Sequence, residues 1–590
     1  MLLVIRNHSV PTALLCTGFL LSLDRSGTIC KVQRWGQGPQ VQGPSVLGPI
    51  QTSLCERQIV SMSTAQFDIV VAGGGHNSLI TAAYLAKAGY SCLVLEARPQ
   101  IGGNTMTEEL TLPGFRHDTC STSHAIFMES PIWRDQELPL ADYGLEYIQT
   151  DPASHVVFAD GSWLTQWLDI DRTCEEISRF SRKDAASYRK MITEWRSVAP
   201  IFNRWRNTPA GWNTSVAAEL AAHPQGAIWM RRQALSAWDI IDAAFEDEHV
   251  KAWMLWFAEG TLQPAERPGT GLLAYSFVAG RQRNGWALPR GGSGTLPKAL
   301  GRIIEEHGGT IVTGKTVTRL ILEGGRCVGV ETESGEEFRA RQAVVSTIHV
   351  KHLVEMAPRE AWGEAFLYGI ETYQAGRSMF VAHYATTEAP AFSVGDALVH
   401  PVALGVAQTA ERQLRVTEDF RHGVAASEDP VLLVLTPSVA DSSRAPLGRH
   451  LVKVIGFHPY SLREGPRYWD EIKERVASSH LEHLRRYAPN LTSDTILAAD
   501  IRSPLDLERY NRHNWHGSCH GGDLSPAQSE ALRPVPGFAQ HRMPIPGLYQ
   551  TGATTHPGGS VTGAPGRNAA MVLLTDLGRS FNEVIQIKEA

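Results

Sequence analysis

The chain has 590 residues, 43% hydrophobic and 20% charged, with a formal net charge of −6. That balance is globular and excludes a largely disordered chain. Neither the charge nor any lysine–arginine run suits a nucleic-acid binder.

Eight cysteines stand at 16, 30, 55, 92, 120, 174, 327 and 519. None forms a CxxC pair, so neither a zinc site nor a redox dithiol is expected, and no metal is assigned. Scattered single cysteines fit a reducing compartment, cytoplasmic or mitochondrial.

Residues 1–61 read as a leader or unstructured linker. The apolar run from Val10 to Leu23 is short and interrupted by Pro11 and Gly18, so it does not suit a membrane span. Secretory processing is not indicated, because no A-x-A pattern follows.

The first convincing element is Phe67 to Ala72, a short β-branched strand pattern. It runs into Gly73-Gly-Gly75-His-Asn-Ser78, then a helical stretch from Leu79 to Ala88 ended by Gly89, then a second strand from Ser91 to Glu96. This is one βαβ unit, and it requires a parallel sheet. In the G-x-G-x-x-G fingerprint the first glycine makes the tight turn and the second lets backbone approach a pyrophosphate. The third allows close packing. Ser78 replaces the third glycine. Glu96 is placed to accept hydrogen bonds from ribose hydroxyls. Directly after it, Arg98-x-x-Ile-Gly102-Gly103-Asn104-Thr105 supplies a second close approach of backbone to the same cofactor. An NAD-only site does not need that pair, so FAD is indicated.

From about 165 to 260 the pattern turns helical, and ten of the fifteen tryptophans lie between Trp163 and Trp286. Such aromatics fill a core, line an apolar pocket, or face a membrane peripherally. A helix is read from Pro289 to Leu300. Strands are read at Thr310 to Val317, Thr318 to Leu322, Cys327 to Thr332, Ala343 to Ser346, Val431 to Leu435 and His450 to Phe457, and a helix from Tyr468 to Tyr487.

The last motif runs from Gly547 through Gly552-Ala553-Thr-Thr-His556-Pro to Gly563-Ala-Pro-Gly566-Arg567-Asn568. A glycine loop followed by a helix N-terminus near Gly566 suits the electron-rich edge of a reduced flavin. His556 is the ionisable side chain within that loop and a candidate catalytic group; a loop histidine bonded to its neighbours is the plainer reading.

These motifs resemble the phytoene-desaturase-like family of FAD oxidoreductases, within the amine-oxidase-type flavoproteins. The match runs in order through Gly73 to Leu79, Gly102-Gly103, Pro289-Arg-Gly-Gly-Ser and Thr555-His-Pro-Gly-Gly, from about 67 to 578. His76-Asn77 and Gly563 to Ala570 place it nearest the branch named for a pyridine nucleotide–disulfide oxidoreductase domain. The resemblance implies an α/β, Rossmann-type two-domain flavoprotein of amine-oxidase/GDI-like fold, with a mixed-sheet and helical substrate domain. It implies noncovalent FAD at Gly73, Gly75, Glu96, Gly103, the backbone near Val317 and the loop from Gly552 to Asn568. It also implies dehydrogenation or desaturation of a polyene, terpenoid or similar molecule.

The expected order is leader 1–61, FAD-binding part 62–160, helical substrate part 161–290, FAD-binding part 291–350, substrate sheet and helices 351–535, and FAD-binding part 536–590. Gly292-Ser-Gly294-Thr-Leu-Pro297 fails as a second dinucleotide fingerprint. The expected electron acceptor is therefore oxygen or a quinone rather than NAD(P). With no arginine or lysine cluster adjoining His556 or Gly552 in the sequence, a neutral substrate is expected. A flavin-dependent isomerase and a GDI-like binding protein without redox chemistry are the alternatives.

Overall fold

The computed structural model describes residues 66–585 apart from 213, 214, 396, 426 and 427, together with four short strands before residue 35. The chain divides into two units, Met1–Met62 and Ser63–Ala590. In the first, where the sequence suggests an unstructured leader, strands Leu3–Ile5, Ala13–Cys16, Phe19–Leu23 and Ile29–Arg34 pair in order as an antiparallel meander. The rest of that leader lies outside the described residues.

The second unit is built on two seven-stranded sheets. Strand β1 (Phe67–Ala72) leads through the glycine turn into helix α1 (His76–Lys87) and back to β2 (Cys92–Glu96). β1 and β2 pair in parallel. Ile69, Val70, Val71 and Ala72 are all fully buried. An unbroken apolar run is what a parallel strand covered on both faces requires.

The other strands of this sheet come from later in the chain. They are β3 (Thr310–Thr313), β4 (Val317–Glu323), β5 (Arg326–Thr332), β6 (Glu337–Ser346) and β7 (Leu548–Gln550). The spatial order is β3-β2-β1-β6-β5-β4, with β7 added to β6. β6 has two jobs. Its first half closes an antiparallel hairpin with β5, and its second half runs parallel between β1 and β7. The single strand read from Thr310 to Val317 is broken at Gly314, whose φ of +72° begins a turn. Glycine adopts that conformation without the steric cost of a side chain.

The second sheet contains Ser154–Val157 and Trp163–Gln166 beside strands from 379 to 502. Residues 154–166 therefore pair within the second sheet and not the first. His450–Phe457 forms a strand at the expected bounds, and the following helix runs from Trp469 to Arg485.

A helical layer packs on this sheet. Helix α2 (Arg182–Arg206), helix α3 (Glu248–Glu259) and helix α4 (Leu273–Asn284) share one hydrophobic core. Trp229, Trp253, Trp256 and Trp286 are buried in that core, so these four tryptophans serve packing. Trp256 lies flat on the sheet because Gly405 has no side chain; a Cβ there would stand 2.5 Å from the indole. Its Nε1–H donates to the carbonyl of Leu432 at 3.1 Å. A buried indole needs such a partner.

Among the described residues, no helix is long and apolar enough to cross a membrane.

Candidate flavin and substrate site

The glycine turn is fixed by its neighbours. Gly73 has φ +100°, and a Cβ there would stand 2.5 Å from the Thr347 methyl. The Gly74 N–H donates to Glu96 Oε2 at 2.7 Å, and the Arg98 N–H donates to Glu96 Oε1 at 2.9 Å. Glu96 is 7% exposed. Its carboxylate thus anchors the loop at both oxygens, and an ionised carboxylate has lone pairs left for a ligand.

The second glycine motif sits against the first. Gly102 N–H donates to the Gly74 carbonyl at 2.8 Å, and a Cβ on Gly103 would be 3.1 Å from Gly75 Cα. A side chain at Gly103 would push the two turns apart. Thr105 Oγ1 donates to the Gly102 carbonyl at 2.6 Å, and Arg98 Nη2 to the Gly103 carbonyl at 2.8 Å.

Ser78 has a specific use. Its hydroxyl lies 2.6 Å from the Gly73 carbonyl and 2.9 Å from that of Gly75, so it braces the turn from beneath. The close packing assigned to a third glycine falls instead on Gly566. It lies on helix α6 (Ala564–Asp576), since Thr295–Glu306 is helix α5. A Cβ on Gly566 would be 2.3 Å from the Asn77 carbonyl of α1.

A cavity of about 420 Å³ opens in front of these turns. Gly73, Gly75, Glu96, Arg98, Gly103, Asn104, Val317, Gly552 and Ala553 line it, as do His76, His349, His513 and His520. Helix α1 starts at its wall with no side-chain cap and no acidic residue in its first turn. Free N–H groups at a helix N-terminus favour an anion. A Cβ on Gly75 would meet nothing within 4 Å. Four buried side-chain atoms on this wall, His76 Nε2, Asn77 Oδ1, Arg98 Nη1 and His349 Nε2, have no protein partner. Buried polar atoms of this kind mark a place where a polar ligand supplies the bonds. Donors, acceptors, an uncapped helix and an acid suit a dinucleotide.

A second cavity of about 1,720 Å³ lies between the helical layer and the C-terminal loop. Trp195, Phe202, Trp205, Leu272, Leu273 and Phe277 form its apolar wall. Gly260, His520, Ser560 and Val561 line both cavities.

The pattern of the flavin containing amine oxidoreductases matches residues 218–574, and that of an NAD(P)-binding Rossmann-like domain matches residues 71–136. The chain belongs to the flavin containing amine oxidoreductase family. It is an FAD-dependent oxidoreductase. Relatives span nearly its whole fold. The pyridine nucleotide-disulfide oxidoreductase domain-containing protein 2 of Rattus norvegicus is 28% identical, over 87% of this chain and 94% of its own. A component of the limonene dehydrogenase of Castellaniella defragrans is 26% identical, over 89% and 98%. The lycopene-forming phytoene desaturase of Pantoea ananas is 27% identical, over 86% and 99%. The resemblance read from the motifs is borne out.

Not every expected site residue faces a cavity in this flavoprotein. Gly102, Thr105 and Ser78 stand behind the cavity wall, and Gly563, Gly566 and Asn568 set the docking of α6. Arg567 borders the larger cavity, but its guanidinium is committed to Glu137 at 2.6 and 2.7 Å. His556 is corrected as a catalytic candidate. It is fully buried, lines neither cavity, and sits 3.0 Å from the Trp205 carbonyl through Nε2.

Sequence reading missed the grouping of the flavin-side histidines, because they come from three separate segments, at 76, 349 and 513–520. Burial pushes His76, His513 and His520 down to about 4, and His349 well below the ordinary range. All four are neutral imidazoles at pH 7. It also missed that Cys120 and Cys519, 399 residues apart, both line this wall. The buried Lys453 ammonium beside them donates to the Cys120 and Asp118 carbonyls.

The lack of an arginine or lysine cluster beside His556 and Gly552 in the sequence does not extend to the large cavity in space. Arg134, Arg196, Arg204, Arg206, Arg281, Arg283 and Arg567 line the large cavity, against Glu129 and Glu530. Most come from the helical layer, remote in sequence from Gly552. Among the described residues, no three or more His, Cys, Asp or Glu side chains are grouped to hold a metal.

Proposed function

We propose that this enzyme dehydrogenates an organic substrate with an apolar body, held in the large cavity against FAD bound in the smaller one. The observation that carries this reading is the shared wall of Gly260, His520, Ser560 and Val561, through which the two spaces adjoin. Relatives named for limonene and phytoene, both hydrocarbons, support it.

In this reading Glu96 takes the ribose hydroxyls, the α1 N-terminus faces the pyrophosphate, Arg98 closes the second turn, and Asn104 ties that turn to Asn511 and Asn514. Val317 and the loop from Gly552 to Ala553 border the remaining length. Ser78, Gly102, Thr105, Gly563, Gly566 and Asn568 hold that shape from behind. Bound FAD supplies the two-electron acceptor for a C–H bond, and oxygen or a quinone reoxidises it. The chain contributes position, exclusion of water and neutral imidazoles. The large cavity presents aromatic and aliphatic walls, which favour an apolar body.

Nothing marks a second dinucleotide site at Gly292. A Cβ there would stand 2.3 Å from Thr107 Oγ1, so this turn is packed against protein.

The test is the visible spectrum of the purified protein, followed under anaerobic mixing. Yellow protein that bleaches with limonene or a related terpenoid, and not with NADH or NADPH, is expected. Fast bleaching by a nicotinamide alone would identify a reductase. A product of unchanged mass would identify an isomerase.

A further inference from the structure

Arg281, in the last turn of α4, is 7% exposed and lines the large cavity. Its guanidinium stacks on Trp286 at 3.9 Å. Nη1 donates to Ser123 Oγ at 2.6 Å and to the Gly285 carbonyl at 3.1 Å, while Nε is buried with no partner. Both acceptors are neutral. No carboxylate of the described residues forms an ion pair with it.

Its neighbours do not supply the missing charge. Glu129 is engaged by Asn284 at 2.9 Å and by Arg283 at 3.6 Å. Arg204 pairs with Glu219, Arg134 with Asp135, and Arg567 with Glu137. Arg206, at the end of α2 on the same cavity, donates to Asn203 Oδ1 at 2.9 Å and likewise has no carboxylate partner among the described residues. A buried cation without a counter-charge is costly to the folded protein. Burial accordingly lowers Arg281 to about 9, and it remains charged at pH 7. An arginine held this way is matched to a ligand anion, because its planar fork fits carboxylate and phosphate oxygens.

We propose that the large cavity takes an amphipathic organic anion, with its carboxylate or phosphate monoester on Arg281 and Arg206 and its apolar body along the aromatic wall toward the flavin. The assignment rests on the reading of this cavity as the substrate site. It narrows the substrate class from an organic molecule with an apolar body to a lipid-like acid. The aromatic wall gives affinity for the body, and the two arginines give orientation.

The experiment is equilibrium dialysis of the FAD-loaded protein against oleate, oleyl phosphate and oleyl alcohol, each below its aggregation concentration. The readout is binding, not turnover. One of the two anions is expected to bind at one site about 10- to 100-fold more tightly than the alcohol, as charge-assisted bonds predict. The tighter one identifies the head group. Arg281→Gln is expected to abolish that discrimination while leaving FAD content unchanged, and Arg281→Lys to restore part of it. Equal binding of anions and alcohol by the wild-type protein, or discrimination surviving in both Arg281→Gln and Arg206→Gln, overturns the anion site and leaves the cavity reading intact. Failure of all three probes to bind overturns the cavity reading and this assignment with it.

Discussion

Glu96 and Gly74 are joined by a 2.7 Å hydrogen bond from the Gly74 N–H to the carboxylate, which ties the end of β2 to the turn that follows β1. The same carboxylate takes the Arg98 N–H, so it organises both glycine motifs before any ligand arrives. Glu96→Ala should weaken FAD binding about 10- to 100-fold, from loss of charge-assisted bonds to loop and ribose. Glu96→Gln keeps one acceptor and should fall between. Titration of apoprotein with FAD measures this, with Glu175→Ala, exposed on the surface, as reference. Glu108 is unsuitable for that role, because it accepts a bond from Tyr510 on the cavity wall. Equal affinity of the Glu96→Ala and Glu175→Ala proteins would refute the assignment.

Arg567 separates a cofactor role from a structural one. Its buried pair with Glu137, joined by the Tyr84 hydroxyl at 2.6 Å, ties α6 to the N-terminal segment. Arg567→Ala leaves Glu137 charged and partly unpaired in the interior, a loss of about 3–5 kcal/mol. Urea unfolding should show that loss, while FAD affinity of the folded protein stays within about threefold of wild type, or roughly 0.6 kcal/mol. A large drop in affinity with unchanged stability would return Arg567 to the cofactor.

The parts of this molecule legible in its sequence are those whose chemistry is local. β1, the turn at Gly73 and Glu96 lie within 30 residues, and each has a type fixed by backbone sterics or charge. The match of His450–Phe457 likewise follows from a continuous apolar run bounded by polar residues. What was not legible is pairing at a distance. Nothing near Cys120 announces Cys519, and no spacing in 134–283 shows arginines turned toward one cavity. His556 misled for the same reason: its glycine-rich surroundings are those of a ligand loop, but Trp205, 351 residues away, takes its Nε2. Ser78 departs from the fingerprint because Gly566, from the other end of the chain, provides the close approach.

That division of labour gives a contrast between two helical glycines. A Cβ on Gly566 would sit 2.3 Å from the Asn77 carbonyl and 2.9 Å from Ile80 Cβ, both inflexible, whereas one on Gly280 in α4 would meet nothing within 4 Å. Gly566→Ala must push α6 off α1 and should destabilise by about 1–3 kcal/mol or more, with loss of bound flavin. Gly280→Ala should stabilise by about 0.5–1 kcal/mol, since alanine gives up less backbone entropy in a helix. Thermal unfolding of the two proteins checks both signs. A Gly566→Ala protein that melts with wild type would show that the two helices are not in tight contact.

Acid should destabilise this protein well above the pH at which its carboxylates titrate. Burial lowers His76, His513, His520, His541 and His556 to about 4 and His124 to about 3, from an ordinary value of 6.5. For each, the folded state resists a proton that the unfolded chain accepts. The neutral ring's contribution is complete above pH 6.5 and is lost as pH falls toward 4, with a slope of at most about 1.4 kcal/mol per pH unit for each histidine. Carboxylates such as Asp68, where bonds from Arg341 and Ser91 outweigh burial, and Asp470, bonded to Arg509, lie below 3.8. Their contribution is lost only in that lower window, so they change little between pH 7.5 and 5.5. Unfolding free energy should therefore be level from pH 8 to 7 and fall steeply from 6.5 to 5.5, with flavin released in the same range. Urea titrations at half-unit steps, read by tryptophan and flavin fluorescence together, measure the slope. A stability that stays level to pH 5.5 would mean that these rings already carry their protons in the folded state, and the description of the flavin-side histidines as neutral would be wrong.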